Sequence, residues 1–281
     1  MKQLDSVAIV GVGKIGGSIG LALLERGLAK NVVGIGRSQA TLRAARRVGA
    51  ITNTTIDLNR GVAEAELVVV CTPVGFVEET VKQVAQHCPE RTLITDVGGV
   101  KQPLVAPLDD GLARGCRFLG GHPLVDGDGS GVLSARANMF EGRLAILTPT
   151  PSTRAEDFDL LENFWQSLGS VVVKMSPEEH DLAVATIDHL PYLSAAAWIA
   201  ALPEQYYRLI GRAIAEATIP KAGVPEQWRQ LLTMNRDNVL TALEQFGSKL
   251  AAVHAALRDG KQDELLQFLV QAKKNRDALG S

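Results

Sequence analysis

Six residues near the start of the chain have the types and spacing of a phosphate-binding loop. Gly11-Val12-Gly13-Lys14-Ile15-Gly16 follows the pattern G-x-G-x-x-G, after the apolar segment Val7–Val10 and before a segment with helical spacing. The first glycine permits a tight turn, the second lets a pyrophosphate approach the backbone, and the third lets helix and strand pack closely. We therefore expect Gly11, Gly13, Lys14, Ile15 and Gly16 to bind a dinucleotide, with the phosphates at the helix N-terminus. The alternative is a glycine-rich turn with no ligand.

The segment Gly36-Arg37-Ser38 stands where such loops usually have an acidic residue, about 20 residues further along the chain. A carboxylate at that place would bind the ribose 2′-hydroxyl of NAD, and this segment has none. The Arg37 guanidinium can instead pair with a 2′-phosphate, and the Ser38 hydroxyl can add a hydrogen bond. The segment predicts NADP as the cofactor, unless Arg37 is only a solvated surface residue.

Two later segments are predicted to reach the same crevice, because ligands bind beyond the carboxyl ends of parallel strands. Cys71-Thr72-Pro73 ends one apolar strand, and Asp96-Val97-Gly98-Gly99 ends the next. The cysteine has no neighbouring cation in the sequence to activate it, so a small core residue is the plainer interpretation of it. The residues expected to line the cofactor ribose and nicotinamide are Cys71, Thr72, Pro73, Asp96 and Gly98.

His122 follows the predicted strand Arg117–Gly121, so it too is expected at the carboxyl edge of the sheet. A histidine beside a nicotinamide can act as the general base in the oxidation of an alcohol. From the residues alone a structural role is at least as plausible. His87 and His254 lie in amphipathic helices and are predicted to be solvated or partly packed.

The elements that must position these residues alternate between apolar strands and helices as far as Lys174. This alternation predicts an α/β Rossmann domain with a doubly wound, mainly parallel sheet covered on both faces. Its predicted strands are Val7–Val10, Val32–Gly36, Leu67–Thr72, Thr92–Val97, Arg117–Gly121, Leu144–Leu147 and Val171–Lys174. Its predicted helices are Ile15–Ala29, Gln39–Val48, Phe76–His87, a helix reaching about Gly115, and Arg154–Leu168.

After Met175 the pattern predicts helices alone. Ser176 supplies a capping hydroxyl, Pro177 stands in the first turn, and Glu178 and Glu179 lie near the positive end of the helix dipole. We therefore predict a dinucleotide-binding domain over residues 1–174 and an all-α domain for substrate binding and dimerisation over residues 175–281. The predicted helices are Glu178–Ile187, Pro191–Leu202, Tyr206–Thr218, Pro225–Gly247, Lys249–Leu257 and Lys261–Leu279.

The composition excludes several classes of partner. The 281 residues include 29 Lys and Arg against 31 Asp and Glu, a net charge of −2, which disfavours nucleic acid as a partner. The longest charge-free apolar stretch, Leu190–Pro203, is too short to span a bilayer, so no membrane association is expected. The three cysteines form no C-x-x-C pair, and the N-terminus has no signal-peptide pattern. We expect a cytoplasmic protein with reduced thiols and no bound metal.

A series of motifs in one order along nearly the whole chain resembles the prephenate/arogenate dehydrogenase family of tyrosine biosynthesis. The motifs are Gly11–Gly16, Cys71-Thr72-Pro73, Asp96-Val97-Gly98-Gly99-Val100-Lys101, Gly120-Gly121-His122-Pro123, Leu147-Thr148-Pro149, His180-Asp181, Asp188-His189-Leu190-Pro191, Trp228 and Asn235-Arg236. The resemblance implies a homodimer formed through the helical domain. It also implies an oxidative decarboxylation: hydride passes from C4 of a cyclohexadienol to NAD(P)+, the ring carboxylate leaves as CO2, and the ring becomes aromatic.

The resemblance also implies roles for single residues. His122 would accept the proton of the C4 hydroxyl, and Lys101 would lie close to the substrate carboxylate or the nicotinamide. His189 would position the substrate or serve as a structural residue in the cleft, and His180 and Asp181 would be structural.

Two departures from the family pattern leave the substrate open. Gly99 stands where the family usually has a serine that meets the substrate hydroxyl or the cofactor. Ala215 and Ile219 stand where it usually has arginines, the first of which pairs with the ring carboxylate. Either Arg212 or Arg208 binds that carboxylate, or other residues of the chain hold the substrate, or the substrate lacks the carboxylate.

Three hypotheses for the function of the protein therefore stay open. The first is an NADP-dependent dehydrogenase acting on prephenate or arogenate. The second is an enzyme of the same fold acting on a different cyclic or hydroxy-acid substrate. The third is a non-catalytic protein that binds a dinucleotide.

Overall fold

The computed structural model describes residues 2–125, 129–209, 211 and 225–279. The chain forms two compact units, one that runs to Asn235 and one that begins at Arg236. The first unit holds the sheet and the helices up to residue 234, and the second holds two helices that pack on each other. The domain boundary predicted at residue 174 stays a prediction.

The first unit is built on one sheet of eight strands. Their order is β3-β2-β1-β4-β5-β6-β7-β8, and every neighbouring pair is parallel except the antiparallel pair β6 and β7. The predicted Rossmann class, with an all-helical part after the sheet, is confirmed. The strands are β1 Leu4–Val10, β2 Ala29–Ile35, β3 Asn53–Thr55, β4 Leu67–Val70, β5 Leu93–Asp96, β6 Arg117–Pro123, β7 Leu144–Thr148 and β8 Val171–Lys174.

Helices cover both faces of this sheet, and a separate apolar cluster lies on each face. The central strands are buried on both sides, which is why their sequences are continuously apolar rather than alternating. The helices of this part are α1 Lys14–Glu25, α2 Gln39–Arg47, α3 Leu58–Val62, α4 Val77–His87, α5 Gln102–Asp109 and α6 Ala155–Ser167.

The strand order reverses between β1 and β4, which places the loops after these strands on either side of one crevice. Gly11 follows β1 with φ of 97°. A Cβ on Gly11 would lie 2.7 Å from the Cys71 carbonyl oxygen, and one on Gly16 would lie 2.3 Å from the Gly11 carbonyl oxygen. The backbone segments at the mouth of the crevice therefore approach so closely that both positions require glycine.

Some elements of the sheet domain differ from the predictions. β3 and α3 were not predicted. β3 is a short polar edge strand that pairs with β2, and it has no apolar pattern that would have indicated it. The helix predicted to reach Gly115 ends at Asp109, since Gly111 adopts φ of 111°.

The helical segments after β8 are α7 Pro177–Val184, a wider π-helical turn Ala185–His189, α8 Leu190–Ala200, α9 Pro225–Met234, α10 Arg236–Arg258 and α11 Gln262–Ala278. The predicted start of α7 is confirmed: the Ser176 hydroxyl accepts from the Glu179 N–H, and the Glu179 carboxylate accepts from the Ser176 N–H. Two predicted helix boundaries are wrong. The predicted helix Pro225–Gly247 is interrupted at Asn235, and α10 continues past Gly247, where that helix was predicted to end. Of the predicted helix Tyr206–Thr218, a 3-10 segment, Glu204–Leu209, is described, and most of the rest lies outside the described residues.

One stretch in the described part of the chain, Pro177–Ala200, has the length and mean hydropathy of a membrane-spanning helix. A single stretch of this kind is weak evidence for a span, since core helices of soluble proteins pass the same test. Its first turns carry His180 and Asp181, which are buried.

Candidate active site

A cavity of about 460 Å³ opens at the carboxyl ends of β1, β2 and β4. Most of the residues predicted to hold the cofactor line it, among them Gly11, Gly13, Arg37, Ser38, Cys71, Thr72 and Pro73. The tertiary structure thus brings the glycine loop, the end of β2 and the end of β4 to one place. Lys14, Ile15 and Gly16 form the first turn of α1 and are not among the residues that line it.

Two features of the cavity wall fit a dinucleotide. A Cβ on Gly13 would meet no protein atom within 4 Å, so the loop leaves room for a group to approach its backbone. The Thr72 hydroxyl is buried and has no hydrogen-bond partner among the described residues. A buried hydroxyl without a partner is costly, and a ligand that bonds to it would remove that cost.

Arg37 and Ser38 line the cavity just beyond the end of β2. Arg37 is exposed, so its guanidinium can reach a ligand. The Ser38 hydroxyl accepts a hydrogen bond from the Thr41 N–H at 3.3 Å and thereby caps α2. The Ser38 oxygen thus stabilises the start of α2, and the hydroxyl can still donate a hydrogen bond to a ligand.

Asp96 and Lys101 form a fully buried ion pair. Lys101 Nζ lies 2.5 Å from Asp96 Oδ2, and both side chains are 0% exposed. The Gly98 N–H donates to Asp96 Oδ2 at 2.8 Å and the Gly121 N–H to Asp96 Oδ1 at 3.1 Å. Burial lowers the pKa of Lys101, and the Asp96 carboxylate opposes that effect. The predicted contacts of these two side chains with cofactor and substrate stay predictions.

His122 lies near the end of β6 and is connected to two further residues. Its Nδ1 is 2.9 Å from His180 Nε2, and His180 Nδ1 is 2.7 Å from Asp181 Oδ1. The Asp181 oxygens also accept from the backbone N–H groups of Lys101, at 2.7 Å, and Gln102, at 2.9 Å. His180 and Asp181, expected to be structural, therefore belong to the environment of the candidate base.

Burial holds the pKa of His122 well below its usual range, and electrostatic effects of His180, Lys101 and His189 lower it further. The ring is therefore neutral near pH 7 and has a lone pair to accept a proton. Gly99 presents no side chain beside His122 Nε2. A Cβ on Gly99 would lie 3.6 Å from that nitrogen and 3.2 Å from Leu231 Cδ2.

His189 is buried at the end of the π-helical turn, where the wider turn shifts it relative to a regular helix. Its Nδ1 is 3.3 Å from the amide nitrogen of Asn235, which also donates to the Asp181 carbonyl oxygen. Its ring meets Trp228 edge to face at 6.2 Å, and Trp228 stacks on Tyr192 with ring centroids 3.8 Å apart. Tyr192 was not among the predicted site residues, although its place three residues after His189 could have indicated it.

The helix α9 also reaches the cofactor side of the site. The Gly75 N–H, in the turn that follows Pro73, donates to Gln230 Oε1 at 3.3 Å. Leu231 and Met234 of the same helix pack on the apolar cluster beneath. The contact joins the helical segment to the loop that lines the cavity.

The chain was compared with known proteins. A family model described as the prephenate dehydrogenase nucleotide-binding domain matches residues 19–174, and one described as the prephenate dehydrogenase dimerization domain matches residues 176–271. The chain belongs to the prephenate dehydrogenase family. It is thus a dehydrogenase that uses a nicotinamide dinucleotide.

Relatives cover almost the full chain. The prephenate dehydrogenase of Bacillus subtilis is 32% identical over 99% of this chain and 77% of the relative. The cyclohexadienyl dehydrogenase of Zymomonas mobilis is 27% identical over 99% of this chain and 97% of the relative. The crystal structure of the prephenate dehydrogenase of A. aeolicus with hydroxyphenyl propionate and NAD+ superposes with a TM-score of 0.91, at 29% identity over 99% of both chains.

Other residues of interest in this family member contribute less to the described site. Burial raises the pKa of the Cys71 thiol, and the Asp96 charge raises it further, so Cys71 is an uncharged wall residue rather than a nucleophile. Arg212, the predicted carboxylate ligand, lies outside the described residues. Arg208 is exposed in the segment Glu204–Leu209.

The buried ion pair makes a direct prediction for stability. Lys101→Met leaves the Asp96 carboxylate buried without its cation, so it should lower the free energy of unfolding by about 3–5 kcal/mol. Adding Asp96→Asn to that variant removes the uncompensated charge and should restore part of the loss. The measurement is urea unfolding followed by circular dichroism.

Lys82→Met provides the matched control, because Lys82 pairs with Glu78 on the surface of α4. An exposed pair contributes about 1 kcal/mol or less. Equal effects of Lys101→Met and Lys82→Met would contradict the importance assigned to the buried pair.

Proposed function

We propose that the protein oxidises and decarboxylates prephenate or arogenate with NADP+, a step of tyrosine biosynthesis. The observation that carries the proposal is the neutral His122 ring, with its Nε2 beside Gly99, at the same edge of the sheet as the dinucleotide cavity. A family fold alone would not fix the reaction, but a base in this position suits the removal of a proton from an alcohol. The names of the relatives include both prephenate and arogenate dehydrogenases, so both substrates are carried forward.

In the proposed mechanism, NADP+ supplies the hydride acceptor. His122 Nε2 accepts the proton of the substrate's C4 hydroxyl as the hydride leaves C4. The C4 oxygen then forms a carbonyl, the bond to the ring carboxylate breaks, and CO2 leaves. The released electron pair makes the ring aromatic and the oxygen a phenolate, which takes the proton back from His122 and becomes the phenol. His122 is the catalytic residue of this chain. Lys101 and Asp96 support the strand ends around it, and Gly99 places no side chain beside it.

The side-chain end of the substrate is assigned to the helical segments. His189 and the stacked pair Tyr192 and Trp228 belong to these segments, and Arg208 and Arg212 remain the candidates for the ring carboxylate. A second function is kept because of one observation: Ala215 and Ile219 replace the family's arginines. A buried carboxylate without a bidentate partner would lose several kcal/mol of binding, so a different cyclic or hydroxy-acid substrate is the alternative. A turnover assay with prephenate, arogenate and a panel of hydroxy acids separates the two.

The cofactor preference is tested at Arg37. The wild type is expected to bind NADP+ more tightly than NAD+, because the guanidinium pairs with the 2′-phosphate. Arg37→Asp should reverse the order by removing that cation and adding a carboxylate for the ribose. Dissociation constants from titration calorimetry measure this, and Arg43→Asp, a charge change further along α2, is the control. A wild type that binds NAD+ as well as NADP+ would refute the assignment.

His122→Asn should lower turnover by about 10²–10⁴-fold, the usual worth of a general base. Binding of NADP+ should change little, because other strand ends hold the dinucleotide. The wild-type rate should rise with pH through a group well below the reference histidine value of about 6.5, since burial lowers the pKa of His122. Between pH 6.5 and 8 the rate should therefore be flat with respect to this group, and the acid limb should disappear in His122→Asn.

Unfolding at low pH must be separated from the effect of pH on the catalytic step. A histidine with a lowered pKa in the folded state binds fewer protons than the unfolded chain, so stability also falls as pH drops below about 6.5. Brief pH-jump assays and unfolding curves at each pH separate the two effects. An acid limb that persists unchanged in His122→Asn would reject the catalytic assignment.

We also propose a homodimer formed through the helical segments. The two helices of the second unit expose many apolar side chains, including Leu250 at 54%, Leu257 at 61% and Leu266 at 59%. Such exposure marks an interface when the residues form a contiguous patch. Light scattering on the full chain should give twice the 30.0 kDa chain mass. Leu257→Glu should shift it towards the monomer and Lys249→Glu should not, whereas a monomeric wild type would refute the proposal.

A further inference from the structure

We propose that His180 and Asp181 are positioning residues that fix the tautomer of His122, so that its Nδ1 carries the proton and its Nε2 presents a lone pair. The proposal rests on the proposed function only for its catalytic consequence. Its structural basis is one chain of hydrogen bonds that runs from the start of α5 to the ring of His122.

The chain of hydrogen bonds begins at the Asp181 carboxylate. In its ionised form this group accepts hydrogen bonds and has no proton to donate. Its two oxygens receive the N–H groups of Lys101 and Gln102, the backbone donors at the start of α5. Free N–H groups at a helix N-terminus require acceptors and favour a negative charge. Asp181 is 1% exposed, so water does not act as the acceptor for these N–H groups. The helix start therefore holds Asp181 as an anion and an acceptor.

The proton positions follow from that anchor. His180 Nδ1 lies 2.7 Å from an Asp181 oxygen that can only accept, so Nδ1 must carry a proton. In a neutral ring the other nitrogen, His180 Nε2, is then an acceptor. His122 Nδ1 lies 2.9 Å from it and must therefore donate, which leaves His122 Nε2 without a proton.

The main alternative is a doubly protonated His180, which would donate to His122 and reverse its tautomer. The groups that act on the His180 ring are Asp181, Asp96 and Lys101, and the His122 ring beside it is also affected by His189. Burial lowers the pKa of His180 and outweighs the favourable effect of Asp181, so the neutral form is favoured near pH 7. The direction of the hydrogen bonds follows from this neutral state.

The consequence is a base with its lone pair on the useful side. Nε2 of His122 is the ring nitrogen that lies beside Gly99, where the chain presents no side chain. The opposite tautomer would place a proton there, and the ring could not accept one from a substrate hydroxyl. In other enzymes the wrong histidine tautomer lowers turnover by up to about 10⁴-fold.

The tautomer can be measured without any substrate. In the full-length protein with 15N-labelled histidine, two-dimensional correlation of ring nitrogens and carbon-bound protons distinguishes the two neutral tautomers, and His122→Asn identifies the signals of His122. We expect the Nδ1-protonated form at pH 7.5. Finding mainly the Nε2-protonated form would overturn the proposal. Because no turnover is involved, this result is independent of whether prephenate or arogenate proves to be the substrate.

A pair of variants tests the kinetic consequence. His180→Leu removes the acceptor, so kcat should fall by about 10²-fold or more. The KM and the dissociation constant of NADP+ should stay within about threefold, since neither ligand is proposed to touch His180. His180→Gln places a carbonyl oxygen near the former Nε2 and should recover at least about tenfold of the loss.

A merely structural role would lower the melting temperature of both variants and would not distinguish leucine from glutamine in kcat. Equal kcat values for the two variants, or a wild-type kcat in His180→Leu, would overturn the proposal. Should the leucine variant fail to fold, the tautomer of the wild type still decides it. A correct tautomer in a protein that turns over neither substrate would refute the proposed function and leave this proposal standing.

Discussion

The buried pair of Asp96 and Lys101 is the interaction on which the rest of the site depends. Asp96 ends β5 and accepts from the Gly121 N–H, one residue before His122 on β6. Lys101 neutralises that carboxylate, and its own backbone N–H donates to Asp181 beside His180. A single charge pair thus joins the ends of two strands, the start of α5 and the first helix after the sheet. Because both charges are out of water, neither can be removed alone without a large cost.

The same framework explains why the candidate base is neutral. A histidine close to an exposed carboxylate would have a raised pKa and would titrate near physiological pH. Here the carboxylates of Asp96 and Asp181 are each engaged by Lys101 or by backbone N–H groups, and the ring of His122 is partly buried. Desolvation and the neighbouring cations then dominate its pKa. The arrangement keeps a proton acceptor available over the whole neutral range.

Two departures from the expected family pattern bear on the proposed substrate site. Gly99 places no side chain beside His122 Nε2, and Ala215 and Ile219 stand where arginines were expected. Both departures concern recognition of the substrate under the proposed function. The cofactor side departs less: its glycine loop, strand ends and buried Thr72 hydroxyl fit a dinucleotide, and Arg37 is the feature that favours a 2′-phosphate.

The sequence by itself determined the sheet domain, the glycine loop and the position of His122 at a strand end, because local patterns encode them. Continuous apolar runs of four residues, Val7–Val10 and Leu67–Val70, mark buried parallel strands, and close backbone contacts select glycine at Gly11 and Gly16. The sequence could not determine that Lys101 is buried against Asp96, or that His180 contacts His122 from 58 residues away along the chain. Only the tertiary structure decided those roles, because they depend on which strand ends and helix starts meet, and side-chain charge or type does not specify its partner. The edge strand β3 and the break at Asn235 were missed for the same reason: pairing with β2 and a buried amide contact hold them, and neither leaves a periodic signal in the sequence.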